Sequence, residues 1–135
     1  MLIVISTLTL TLAKAMGVYM IAAGVSGFVA PERWRVILDQ LRADAALTYI
    51  SGAFVFALGV AIVIAHNIWT DPLSIVVSLF GWIALIEGIV LIVMPKPLLD
   101  FSGSLLRPGS TRIFAAASLI LGAVLLIAGL FGRAG

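Results

Sequence analysis

Apolar positions in this chain do not alternate with polar ones; they run on for the length of whole helices. Ala45 to Thr70 contains no Asp, Glu, Lys or Arg, and neither does Ile113 to Gly132. Leu73 to Pro95 holds one charge, Glu87, and Leu8 to Ala30 holds one, Lys14. A helix needs about 20 apolar residues to cross a hydrocarbon core of roughly 30 Å. Backbone groups in lipid must bond within their own segment, so such runs are helical. The pattern predicts four spanning helices, near 8–30, 45–66, 73–94 and 111–132. The fold class is an all-α polytopic membrane protein, with residues 1–135 as a single membrane domain.

Between the first two spans the period changes. In "PERWRVILDQLRAD" (residues 31–44), Trp34, Ile37, Leu38 and Leu41 recur at helical spacing and form one stripe, with Arg35, Asp39 and Arg42 opposite. Pro31 suits a helix start. Flanked by spans, this amphipathic helix is expected to lie in the headgroup layer, with Trp34 at the interface and its Arg side chains reaching phosphates. The stretch "PKPLLDFSGSLLRPGS" imitates it weakly through Leu98, Phe101 and Leu105, interrupted by Gly103. Each connector reads either as an anchor for its hairpin or as a docking surface for a partner.

Composition agrees with the pattern. The 135 residues are 63% apolar and 10% charged, with a mean hydropathy of +1.27; a soluble domain carries about 25% charged residues. The sequence pI near 9.5 does not point to nucleic acid, because no basic cluster or basic-aromatic interleaving accompanies it. Cysteine is absent, which excludes disulfides and thiolate chemistry. "LIVISTLTLTLAKA" offers a small-x-small site at Ala13-Lys14-Ala15. No Lys or Arg precedes it, however, and cleavage there would leave too short a span, so the segment is read as the first helix.

A shift of 64 residues places Gly17, Gly24 and Pro31 on Gly81, Gly88 and Pro95. A shift of 63 places "LGVAIVIA" on "LGAVLLIA", with Gly59 and Ala65 on Gly122 and Ala128. The expected organisation is two tandem hairpins, repeat 1 near 8–66 and repeat 2 near 72–132, each made of helix, Pro, charged connector and helix. An even number of spans per unit makes the repeats parallel, not inverted. The connectors 31–44 and 95–112 carry Arg33, Arg35, Arg42, Lys96, Arg107 and Arg112, six of the eight basic residues, whereas the turn 67–72 carries none. The excess of Lys and Arg in cytoplasmic loops then puts both connectors inside and both termini, with Lys14 and Arg133, in the periplasm. Arg33, Arg35, Arg42, Lys96 and Arg112, together with Trp34, are the expected interfacial residues.

Small residues recur every seven positions on all four spans: Gly17 and Gly24; Gly52 and Gly59; Gly81 and Gly88; Gly122 and Gly129. This period marks a left-handed seam. Small side chains let backbones approach closely where lipid supplies no hydrophobic drive. "GVSGF" lies inside a span with no strand before it, so no phosphate loop is read there.

Glu87 lies eight positions before Pro95, about 12 Å along a helix, and so deep in the bilayer. Fourteen Leu, Ile, Val or Phe residues in its span, at roughly −0.3 to −0.6 kcal/mol each, outweigh a cost of roughly +3 kcal/mol for one acid. Three roles are open: an interhelical hydrogen bond, contact with a partner, or a proton or ion relay. The hydrogen bond is the expectation, with a protonated Glu87 donating to a hydroxyl, for which Ser118 and Ser51 lie at suitable depths, or to a backbone carbonyl. Lys14 reads as a snorkelling residue at the outer interface. His66 reads as an interfacial cap and not a metal ligand, since no second His or Cys completes a site. No Ser or Thr has a base beside it, so nucleophilic catalysis lacks its parts, and no cofactor or metal site is expected.

"LIEGIVLIVMPKPLL" followed by "STRIFAAASLILGAVLLIAGL" resembles the YjeT-like family of small bacterial inner-membrane proteins, whose function is not established. Its Glu-Gly pair, Pro with a basic follower, and Arg before the second helix correspond to Glu87-Gly88, Pro95-Lys96 and Arg112. The first half matches at Pro31, Trp34 and Arg35 but has Ala23 where the Glu would stand. The resemblance implies a bacterial inner-membrane setting and no catalytic residues. The expected function is a non-enzymatic scaffold or accessory subunit that packs with other membrane proteins or itself. The alternative is a small proton, ion or metabolite transporter using Glu87.

Overall fold

The computed structural model describes residues 7–107 and 109–132; Arg133, assigned above to the outer face, lies outside them. The described residues form six helices: α1 (Thr7–Val29), α2 (Pro31–Ala43), α3 (Ala45–Ala65), α4 (Pro72–Val93), α5 (Pro95–Leu105) and α6 (Thr111–Phe131). Helices α1, α3, α4 and α6 have 21 to 23 residues each and are apolar enough to cross a membrane. At 1.5 Å per residue each is about 32–35 Å long, the thickness of a hydrocarbon core. The chain is a multi-pass α-helical membrane protein.

Local chemistry places the breaks. Asp44 ends α2, its N–H donating to Gln40 O, and caps α3 by accepting from Leu47 N at 3.0 Å. The Thr48 hydroxyl binds back to Leu41 O and Asp44 O across this joint. Asp71 and Ser74 form a reciprocal capping box at the start of α4, with Pro72 in the first turn. Pro31 and Pro95 each open a connector helix.

The spans pack in two pairs, α1 against α6 and α3 against α4. The arms of each expected hairpin therefore separate, and each lies along a helix from the other half of the chain. Under the 63–64-residue shift α1 falls on α4 and α3 on α6, so the two pairings exchange. Both are built on the seven-residue glycines. A Cβ on Gly17 would stand 2.6 Å from Leu126 N, and one on Gly122 would stand 2.8 Å from Gly17 O. A Cβ on Gly88 would meet the backbone of Phe56, and one on Gly59 the backbone of Leu85. Gly24 closes on Leu119 and Ala115, Gly52 on Leu91, Gly81 on Ile62, and Gly129 on Lys14. Opposite Leu10, where the small-residue face of α1 stops, Gly132 makes the space.

The two connectors also pack on each other, a contact the amphipathic pattern alone did not anticipate. Helix α2 packs on α5. Leu38, Leu91 and Leu99 form a small buried core, with Leu41, Leu98 and Leu106 against it. Trp34 is packed beneath Gly27 of α1. Of the predicted stripe only Ile37 stays exposed, and on α5 Phe101 and Leu105 are exposed too. The stripe has a protein surface to enter because the second connector folds over the first.

Candidate functional site

Two polar places stand out in an otherwise apolar bundle: Glu87 in α4, and a buried cluster at the end remote from the connectors.

Glu87 is exposed. Its helical neighbours Ile83 and Ile86 are 58% and 57% exposed, so the carboxyl stands in an apolar face that no other described helix covers. Among the described residues no hydrogen bond or ion pair reaches it. This overturns the expected bond to Ser118 or Ser51. The Ser118 hydroxyl donates to Met20 O at 2.7 Å and ties α6 to α1. Ser51 is half-buried on α3 and makes no hydrogen bond to Glu87 among the described residues. Gly88 occupies the seam, and successive helical residues are about 100° apart; adjacency to the seam turned Glu87 out of it.

The buried cluster centres on His66. Its Nε2 lies 2.6 Å from Thr9 Oγ1 and its Nδ1 lies 3.0 Å from Ser78 Oγ. All three side chains are buried. Ser78 Oγ also donates to Ile68 O at 2.7 Å and accepts from Ile68 N at 3.1 Å. With its hydrogen on Ile68 O, Ser78 Oγ is placed to accept from His66 Nδ1. His66 does end α3, as expected of a cap, but its ring does more: it fastens α1, on one helix pair, to α4, on the other. Sequence reasoning missed this because Thr9 and Ser78 are ordinary hydroxyls in apolar runs. Beside it, Asn67 Oδ1 accepts from Trp69 Nε1 at 2.7 Å.

Between the helix pairs runs a cleft of about 680 Å³, lined by α1, α3 and α4 residues such as Met16, Tyr19, Leu58, Ile62 and Phe80, with Ser118 its one hydroxyl-bearing aliphatic side chain. Of the basic candidates, Arg35 donates to Leu106 O at 3.0 Å and Arg42 to Leu99 O at 2.8 Å. Arg42 also pairs with Asp100 at 3.4 Å. Arg33, Lys96 and Arg112 are exposed and make no hydrogen bond or ion pair among the described residues. Lys14 lays its stem across Gly129 near the end of α6, where a cation complements the helix dipole.

A family described as an uncharacterized protein conserved in bacteria (DUF2065) matches residues 12–65. That stretch runs from α1 to α3, less than half of the chain and not the half that carries most of the resemblance noted above. No curated protein and no solved structure matches the chain.

Proposed function

We propose that this chain is a non-enzymatic membrane scaffold or accessory subunit, and that it docks through the Glu87 face of α4 onto another membrane protein or a second copy of itself. The observation that carries this reading is the position of Glu87: deep in a span, exposed, and unpartnered within the described residues. A carboxyl facing lipid there costs roughly 3 kcal/mol, and a hydrogen-bonding partner in the membrane offsets that cost. The exchange of pairings under the repeat shift supports a duplicated hairpin, and the basic connectors support a bacterial inner-membrane protein with both termini outside.

The test is mild-detergent co-purification with wild type and Glu87→Leu at matched expression. Wild type is expected to retain a membrane protein, or to run as an oligomer, and the variant to lose it while keeping its own melting temperature. An identical set of co-purifying proteins and an identical oligomeric state in Glu87→Leu would overturn the reading. Proton or ion flux through the purified chain in proteoliposomes, abolished by Glu87→Gln, would instead establish the transport alternative.

A further inference from the structure

At the joint between the connectors and the α3–α4 pair lies a cavity of about 560 Å³. Its walls sort by depth. Leu91 and Ile92, from the last turn of α4, are apolar and belong to the hydrocarbon side. Arg42, from the last turn of α2, and Lys96, from the first turn of α5, lie where the spans end. Tyr49, one turn into α3, stands between the two levels.

The polar groups here differ in how far they are already engaged. Arg42 is held by Leu99 O and Asp100. Its guanidinium crosses α5 over Gly103, where a Cβ would stand 2.5 Å from Nη2. The glycine that interrupts the second amphipathic stripe thus makes room for the arginine. Arg42 and Asp100 largely cancel in charge. The Lys96 ammonium and the Tyr49 hydroxyl have no partner among the described residues, although both line the cavity. An uncompensated cation beside a phenol, at the hydrocarbon boundary and above an apolar wall, complements an amphiphile whose anionic group sits at the same depth.

We propose that this cavity binds one phospholipid of the leaflet on the connector side, its phosphodiester held by Lys96 and Tyr49 with Arg42 behind them, and an acyl chain along Leu91 and Ile92. The phosphodiester supplies unprotonated oxygens to three N–H or O–H donors, and charge-assisted bonds of this kind are the strong ones. The chain's own ion pair leaves Lys96 as the net charge to be matched.

The purified chain in detergent is titrated, by native mass spectrometry, with dioleoylphosphatidylglycerol, with dioleoylglycerol (the same chains without the phosphate) and with inorganic phosphate. One phosphatidylglycerol is expected to bind, and Lys96→Gln to weaken it about tenfold, the usual value of a charged hydrogen bond. Tyr49→Phe is expected to weaken it less, and Lys14→Gln, at the other end of the bundle, not at all. Neither Lys96 nor Tyr49 bonds to a described residue, so both variants should keep the wild-type melting temperature in lipid-free detergent. Equal binding of dioleoylglycerol would show an apolar cavity that ignores the phosphate. Displacement of the lipid by inorganic phosphate would assign the site to the free anion. Unchanged binding in Lys96→Gln would remove the site altogether; each of these three results overturns the proposal.

Discussion

Thr9 and His66 stand 57 positions apart in the chain, and their side chains meet at 2.6 Å in a buried site at the end of the bundle. With Ser78 on the far side of the ring, this contact couples the α1–α6 pair to the α3–α4 pair. At the opposite end Leu38 of one connector and Leu99 of the other pack together with Leu91 of α4. Between these two ties, the pairs diverge around an apolar cleft.

Replacing His66 by Ala leaves the Ser78 hydroxyl without one of its donors and empties the buried site. The expected loss is about 1–3 kcal/mol, the cost of a buried polar group left unpaired. A double-mutant cycle of Thr9→Val with His66→Ala, read by unfolding in detergent, should give a coupling energy of about 1 kcal/mol. Strict additivity would show that the 2.6 Å contact contributes nothing.

Gly88→Leu should separate α3 from α4. A side chain there meets the backbone of Phe56, which cannot rotate aside as a flexible side chain could, and overpacking costs roughly 1–3 kcal/mol. Gly109 has open space around it, so Gly109→Ala is the matched control and should leave the melting temperature where it was. A wild-type melting curve for Gly88→Leu would mean that α3 and α4 do not pack through this seam.

Ser118→Ala tests how much a hydroxyl is worth in the spans. The Met20 carbonyl is already within helical backbone, so losing the 2.7 Å bond from Ser118 is expected to cost only about 0.6 kcal/mol, the average for such bonds in membranes. A loss above about 2 kcal/mol would give Ser118 a larger role than that.

Cysteine labelling checks the topology, and the natural absence of cysteine makes every introduced thiol unique. Glu32→Cys in α2 and Ser104→Cys in α5 are both exposed. Both should react from the same side of the membrane, and Asn67→Cys from the other. Reaction of the two connectors from opposite sides is incompatible with the packing of α2 on α5.

Much of the fold is legible in local chemistry. Span boundaries follow from which residues tolerate hydrocarbon, a property each stretch carries by itself, and the predicted 45–66 and 111–132 end within one residue of α3 and α6. The glycine seams were legible too, since a seven-residue period needs no knowledge of the partner helix. Glu87 was visible as the one acid inside a span, but its surroundings were not.

From the sequence alone came four membrane helices, two amphipathic connectors, and a seam on every span. Only the tertiary structure decided which seams meet: α1 with α6 and α3 with α4, across the two halves and not within them. Four helices that all carry small residues at the same period can be paired in more than one way, and no local pattern ranks the choices. What separates them is how the backbones fit once a given pair meets: Gly17 and Gly122 face each other in one pair, and Gly88 faces Phe56 and Gly59 faces Leu85 in the other. That pairing also settled which way Glu87 faces, because a side chain's surroundings depend on the helix its seam has chosen.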